Sequence, residues 1–417
     1  MERILDLHIH SKYSRACSPQ LTLSNIEKTC RIKGVDIIAT GDFTHPKWFS
    51  SIENELKEIK KTGLYKLKIA VDDKVKFILS TEVSLIYKDG DKCRRLHICI
   101  MAPNIEAVRK LNEHLDANYN IKSDGRPILG MHADELVKLC LSIHPKFLIF
   151  PAHIWTPWFA VFGSKSGYDN LQDCFKDQTK NIFAYETGLS SDPEMNWRLS
   201  ALDNLTLLSN SDSHSLPNIA REANIFDMKE ESYNEIYRII KEKDLSCLKG
   251  TIEFYPEEGM YHLDGHRECG ISMEFLETKK NKGICPKCKK PLTVGVLYRV
   301  DELADRKVGV KPKGAVPYIK LVELDKVIAD SLKIKSRSSK VVLTEYNNLI
   351  ENFGTELDIL RKVDLKLLEG KVRPAIIESI KRVREGKLNI KPGFDGQYGE
   401  IKIFNDEERV EMQQSLF

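Results

Sequence analysis

The chain lacks any apolar run long enough to cross a bilayer. Its longest, such as Phe147-Leu148-Ile149-Phe150, fall far short of the roughly 18 residues a membrane span needs. It also lacks a dominant sign of charge. Lys and Arg total 64 against 61 Asp and Glu, a formal net charge of +3. That excludes a histone-like polycation but leaves room for a local basic face. No internal repeat and no long low-complexity tract is present. No Gly-x-x-x-x-Gly-Lys-[Ser/Thr] loop occurs, so the chain is not itself an ATP-driven motor. Met1-Glu2-Arg3 leads directly into an apolar strand-like segment with no signal-peptide core, and a cytoplasmic location is expected. Paired cysteines are scarce as well: of ten, only Cys285-Pro-Lys-Cys288 has CxxC spacing. Cys30, Cys99 and Cys140 sit in apolar elements, the pattern of small buried hydrophobes rather than of disulfides.

What is present is material for two or three domains: 417 residues, 41% of them hydrophobic. Residues 1–250 alternate strand-like and helix-like patterns. Strands are expected at Ile4–His10, Val35–Thr40, Val75–Thr81, Arg95–Met101, Phe147–Ala152, Ile182–Tyr185 and Leu205–Ser209. Helices are expected at Leu21–Lys33 and Trp48–Lys61. This alternation predicts an α/β fold with a parallel sheet or closed barrel. The rhythm stops near Gly250. Residues 251–300 carry a His/Cys cluster among many lysines, and residues 301–417 read as mainly helical, with helices at Leu321–Leu332, Leu343–Phe353, Leu357–Leu360 and Arg373–Arg384.

The ionisable residues fall at strand ends. His8-Ile-His10 has i, i+2 spacing, which points both imidazoles to one face of a strand. Asp42, Glu82, His153 and the pair Asp212-Ser-His214 follow other strands, and His97 lies within one. Strand C-termini of a β/α barrel converge on one rim, where such a set would bind Zn²⁺, Mn²⁺ or Fe²⁺. Glu186 and Asp192 follow the sixth strand on the same rim and are candidates for a general acid or base, or for orienting a ligand or water. Ser-Ser-Asp192-Pro reads equally well as a helix N-cap. Trp155-Thr-Pro-Trp158-Phe159 directly follows His153; its aromatics either stack on bases or form a lid core.

Further on, His266-Arg-Glu-Cys269 is separated by fifteen residues from Cys285-Pro-Lys-Cys288. Two close pairs suit a closed, structural Zn²⁺ site, with His262 as the alternative fourth ligand. Lysines surround it (Lys279, Lys280, Lys282, Lys287, Lys289, Lys290). From Ser331 to Lys391 there are 14 Lys and Arg against 8 Asp and Glu. In the zinc module, Lys287, Lys289 and Lys290, with Trp155 and Trp158 of the earlier loop, are expected to contact nucleic acid.

The set His8-Ile-His10, Gly41-Asp42, Glu82, His97, Pro-Ala-His153 and Ser-Asp212-Ser-His214 resembles the PHP (polymerase and histidinol phosphatase) superfamily. The resemblance implies a distorted seven-stranded β/α barrel that hydrolyses phosphoesters with two or three divalent metals (Zn, Mg or Mn). It implies that His8, His10, Glu82 and Asp212 ligate one metal, and that Glu82, shared, ligates a second with His97 and His153. At the third site the sequence departs from the pattern. Arg15 and its neighbours offer no ligand, Phe43 replaces a histidine, and only His214 with Asp42 or His45 remains.

Gly-Asp42-Phe-Thr-His-Pro, His153-Ile-Trp-Thr-Pro-Trp158, Tyr-His262-Leu-Asp-Gly-His266-Arg-Glu-Cys269, Val300-Asp-Glu-Leu-Ala-Asp-Arg306 and Pro392-Gly-Phe-Asp-Gly narrow the resemblance to the endonuclease Q family, over nearly the whole chain. This implies cleavage of DNA on the 5′ side of hypoxanthine, uracil, xanthine or an abasic site, leaving a 3′-hydroxyl and a 5′-phosphate, with the damaged base flipped into a pocket. Two alternatives are a phosphoesterase for a small phosphate monoester and a zinc-containing nucleic-acid-binding protein whose barrel is not catalytic. The tail Gln413–Phe417 distantly resembles a sliding-clamp-binding peptide, and a frayed terminus is its other reading.

Overall fold

The fold is taken from a computed structural model, which describes residues 1–405, 407 and 408. The clamp-like tail at residues 413–417 lies outside them.

The strands that position the site are β1 (Glu2–Asp6), β2 (Ile37–Ala39), β3 (Lys76–Ile78), β4 (Ser80–Asp89), β5 (Lys92–Met101), β6 (Leu148–Pro151), β7 (Ala184–Glu186), β8 (Thr206–Leu208), β9 (Ala223–Asp227), β10 (Leu248–Glu253) and β11 (Tyr318–Lys320). The mixed α/β class expected from the sequence holds. They belong to hydrogen-bonded sheets of eight, four and two strands, which other short strands complete. β1 lies inside the largest, parallel to β2 and antiparallel to β9. β4 and β5 form a long hairpin turned at Gly90, whose φ of 59° is a conformation glycine adopts without penalty. β6 pairs with β5, and β7 runs parallel to β8.

Several elements differ from the sequence expectation, including strands at Ala223–Asp227, Leu248–Glu253 and Tyr318–Lys320 that it did not contain. The helix expected at Trp48–Lys61 is Pro46–Glu55, with proline in its first turn; beyond Glu55 the chain turns into a strand at Leu56–Glu58 that pairs with Leu64–Leu67. β4 continues to Asp89, because its apolar residues Val83 and Leu85 meet Ile98 and Leu96 across the hairpin. The boundary read at residue 250 falls inside β10. β11 adds parallel to β10, so the largest sheet draws strands from both sides of that position.

Helix α1 (Leu23–Lys33) is capped by the Thr22 side chain, which accepts from Asn25 N, and stops at Gly34 with φ 90°. A side chain at residue 34 would collide with Thr355 Oγ1, so glycine there admits the C-terminal helices. Those are α2 (Leu324–Ser331), α3 (Lys340–Phe353), α4 (Glu356–Arg361) and α5 (Pro374–Glu385). Their apolar faces (Leu324, Val327, Ile328, Leu349, Ile376, Ile380) belong to the same buried cluster as Ile4 and Ile38. A buried ion pair between Lys33 Nζ and Glu356 Oε1, 3.1 Å apart, joins α1 to α4. Among the described residues, no helix is long and apolar enough to cross a membrane.

Candidate metal centre

His8 and His10 follow β1, and the backbone there is fixed when His10 N donates to Ser213 O at 3.0 Å. That bond brings the Asp212 segment against the histidine pair. His10 Nε2 lies 3.0 Å from Asp212 Oδ1 and 3.3 Å from Glu82 Oε2; His8 Nε2 lies 3.7 and 3.6 Å from the same two oxygens. His8 Nε2, His10 Nε2 and Asp212 Oδ1 are all buried without a hydrogen-bond partner. Three orphaned polar atoms facing one point are costly in a protein interior, and a cation there would satisfy all of them. Two imidazole nitrogens and two carboxylate oxygens suit a divalent ion.

The other carboxylate oxygen of Glu82 serves a second group. Glu82 Oε1 lies 3.0 Å from His97 Nδ1 and 3.1 Å from His153 Nε2. Burial pulls His97 down to about 4, which keeps its imidazole neutral and its lone pair available. Although burial opposes it, the Glu82 carboxyl is held well below the usual range by His97, Arg126 and His8. One ionised carboxylate therefore bridges two ligand groups. His153 reaches its place with φ 28°, and Asp42 and Asp212 also occupy the left-handed region. Such backbone is strained for residues with side chains and concentrates at functional sites. Gly188 makes room for it, since a Cβ there would run into His153.

Several expected ligands have other positions. Asp42 was expected at a metal, but both its oxygens are engaged: Oδ1 accepts from His10 Nδ1 at 2.9 Å, and Oδ2 accepts from Ser11 N at 2.6 Å and Ser14 Oγ at 2.9 Å. Glu186, expected as an acid or base, accepts from His8 Nδ1 at 3.0 Å. Both carboxylates thus hold the proton on Nδ1 and turn Nε2 toward the cluster. His214 packs beside His10, 4.6 Å between rings, with its Nδ1 donating to the Asp212 carbonyl at 2.8 Å. Among the described residues, no group of three candidate ligand atoms within 4.8 Å of one another includes Asp42 or His214. Asp192, the other expected acid or base, caps the turn at Pro193–Asn196 through Met195 N at 2.9 Å, and its second oxygen meets Lys320 Nζ at 2.7 Å. The N-cap reading is the one the structure supports.

Of the aromatics expected on DNA, Trp155 is wholly buried against Phe162, its Nε1 donating to Asn196 Oδ1 at 2.7 Å. It is core, because its indole N–H finds a partner inside. Trp158 is 40% exposed. His266, Cys269, Cys285 and Cys288 come together as the sequence predicts, their ligand atoms within 4.8 Å of one another. His262 is not among them and lines a cavity instead. Lys287, Lys289 and Lys290 are exposed beside this cluster.

Sequence reading missed Arg126. Its Nη1 donates to Glu82 Oε2 at 3.0 Å, so a guanidinium borders both ligand groups. The signal available was Asp-Gly125-Arg: a Cβ on Gly125 would collide with Asp42 and Ser14, so only glycine lets this loop close over the site. Cys99, also near His8, is the buried thiol the sequence implied, with its pKa pushed up by burial.

An α/β sheet with a bridged histidine–carboxylate cluster and a separate Cys₃His group defines a metalloprotein with two distinct kinds of metal position. The sequence profile of a family described as the MJ0043 C-terminal domain matches residues 323–387. The crystal structure of the lesion-specific endonuclease PfuEndoQ from Pyrococcus furiosus is 31% identical, with 99% of each chain covered and a TM-score of 0.85. A structure of endonuclease Q in complex with a 27-mer duplex bearing an abasic lesion at the active site is 32% identical over 98% of each chain, with a TM-score of 0.84. The chain belongs to the endonuclease Q family of metal-dependent DNA hydrolases. It is also 32% identical over 256 residues to the protein MJ0043 of Methanocaldococcus jannaschii, a match spanning 60% of this chain but only 31% of that relative's own length.

Proposed function

We propose that this protein hydrolyses DNA phosphodiesters on the 5′ side of deaminated bases (hypoxanthine, uracil, xanthine) and abasic sites, leaving a 3′-hydroxyl and a 5′-phosphate. The observation that carries the reading is Glu82, one buried carboxylate whose two oxygens face two separate ligand groups. His8, His10, Glu82, Asp212, His97 and His153 would hold a pair of divalent ions, which when bound would acidify a water and neutralise charge for displacement at phosphorus. The chain's own groups do the rest. Asp42 and Glu186 keep the proton on Nδ1 of His10 and His8, leaving Nε2 free. Arg126 presents a fixed positive charge beside Glu82, where a phosphate enters.

The base site we assign is a cavity of about 460 Å³, within the range of small-molecule sites. Thr156 joins it to the centre: it lines the cavity, and its Oγ1 lies 3.0 Å from His153 Nδ1. Tyr261 and His262 also line it. Deamination replaces an amino donor with a carbonyl acceptor, so an N–H donor in this lining would favour damaged bases and oppose normal ones. The Cys₃His cluster holds Zn²⁺ as a structural ion, and Lys287, Lys289 and Lys290 beside it face the DNA backbone.

The test uses end-labelled duplexes with one deoxyinosine, one deoxyuridine, one abasic site or no lesion, incubated with the protein and Mg²⁺ or Mn²⁺. A single nick 5′ to each lesion, absent from the intact duplex, is expected. Equal degradation of all four would overturn lesion specificity, and release of phosphate only from small monoesters would overturn the nuclease reading.

A further inference from the structure

A groove of about 670 Å³ runs along β5 and the loop after His153, with Lys92, Arg95, Trp158, Lys165 and Arg299 in its walls. Its cations are of two kinds. Arg299 is neutralised by Asp169 at 2.5 Å and Glu302 at 2.6 Å. Arg94 lies over the Tyr168 ring. Lys92, Arg95 and Lys165 are exposed and form no ion pair among the described residues. Three unpaired cations in one concavity raise the local potential for an anion.

The backbone joins this groove to the metal centre. Arg95 and His97 are i, i+2 in β5, so both side chains leave the same face of the strand. His97 N donates to Phe159 O at 2.9 Å and Arg95 N to Ser166 O at 3.4 Å, which lays the loop alongside the strand from the centre outward. Trp158 lines the groove, and its ring meets Tyr261 at 5.4 Å. Tyr261 lines the cavity assigned above to the base. An aromatic ridge therefore separates a base-sized cavity from a track of unpaired cations.

We propose that Lys92, Arg95 and Lys165 form a phosphate-binding track for the lesion-bearing strand beside the metal centre, with Trp158 stacking on a base at its mouth. The proposal rests on the nuclease reading. A nucleic-acid backbone fits better than an acidic peptide because the track ends at phosphoester chemistry and carries an exposed indole, on which any base stacks.

The experiment compares the full chain with a Lys92→Gln/Arg95→Gln/Lys165→Gln variant, each in the His8→Ala background so that DNA stays intact. Affinity for a fluorescent duplex with one tetrahydrofuran abasic site is measured from about 50 to 200 mM salt. The slope of log K against log salt should become shallower by roughly 2–3, since each lost phosphate contact removes about 0.9. A Lys92→Arg/Arg95→Lys/Lys165→Arg variant should restore the slope. With His8 intact, kcat/KM for nicking should fall by the same factor as the affinity. Equal slopes in the wild-type and glutamine series would overturn the track and leave the groove to a protein partner. A changed slope with no nicking by the wild-type protein would sink the nuclease reading while the track stands.

Discussion

The role of Asp42 makes a quantitative prediction. Its carboxylate accepts three hydrogen bonds, one from His10 Nδ1 and two from Ser11 N and Ser14 Oγ. In Asp42→Asn the amide oxygen can still accept from Ser11 and Ser14, and asparagine tolerates the φ of 48° at this position. The amide nitrogen then faces His10 Nδ1 and donates to it. That favours the tautomer with its proton on Nε2, the atom turned toward Glu82 and Asp212. The ring keeps its place but offers the wrong nitrogen. Loss of such a supporting carboxylate typically costs 10–100-fold in metal affinity or activity, about 1.4–2.7 kcal/mol. The assay is a titration of Mn²⁺ against nicking of an abasic duplex by the wild-type and Asp42→Asn proteins. A parallel shift of the half-maximal concentration by one to two decades is expected, with the plateau largely recovered. An unchanged titration would refute the orienting role. Complete loss of bound metal would mean that Asp42 is itself a ligand.

The two tryptophans should separate cleanly. Trp158→Ala should weaken lesion-DNA binding by the roughly 1–3 kcal/mol of one stacked base with little change in thermal midpoint, whereas Trp155→Ala should cost about 3–5 kcal/mol of stability, read by denaturant unfolding. Cys285→Ser should lower bound zinc by one equivalent per chain and expose residues 264–292 to proteolysis, because the metal replaces a core that this segment lacks; undiminished zinc would place the ion elsewhere. Burial, aided by Asp192, lifts the Glu253 carboxyl from an ordinary 4.5 to about 8. A raised carboxyl pKa means that the folded state holds a proton the unfolded state has released. Its contribution is complete below about 4.5 and is lost as the pH climbs through about 8. Glu253→Gln should flatten the decline of stability over that window, and an unaltered slope would refute the assignment.

Much of this protein is local in origin and so was legible in the chain. The i, i+2 spacing of His8 and His10 needs only a strand to bring two imidazoles onto one face, and the pairs His266/Cys269 and Cys285/Cys288 need only two turns. The α/β class and the C-terminal helices follow from hydrophobic period, which acts over a few residues. What the sequence did not decide is which atom of each polar side chain faces what. Asp42, Glu186 and Asp192 all fall where a ligand or a proton-transfer group would. Whether each meets an imidazole Nδ1, a backbone N–H or Lys320 depends on chain segments remote in sequence. The same holds for Trp155 and Trp158, three residues apart: the first is buried by Phe162 and Asn196, and the second is left at the surface beside Tyr261. Arg126 enters the site only because a glycine lets its loop close over Asp42. Residue types at strand ends set the chemistry that is available. Long-range packing, through close approaches that no local pattern encodes, assigns each group its role.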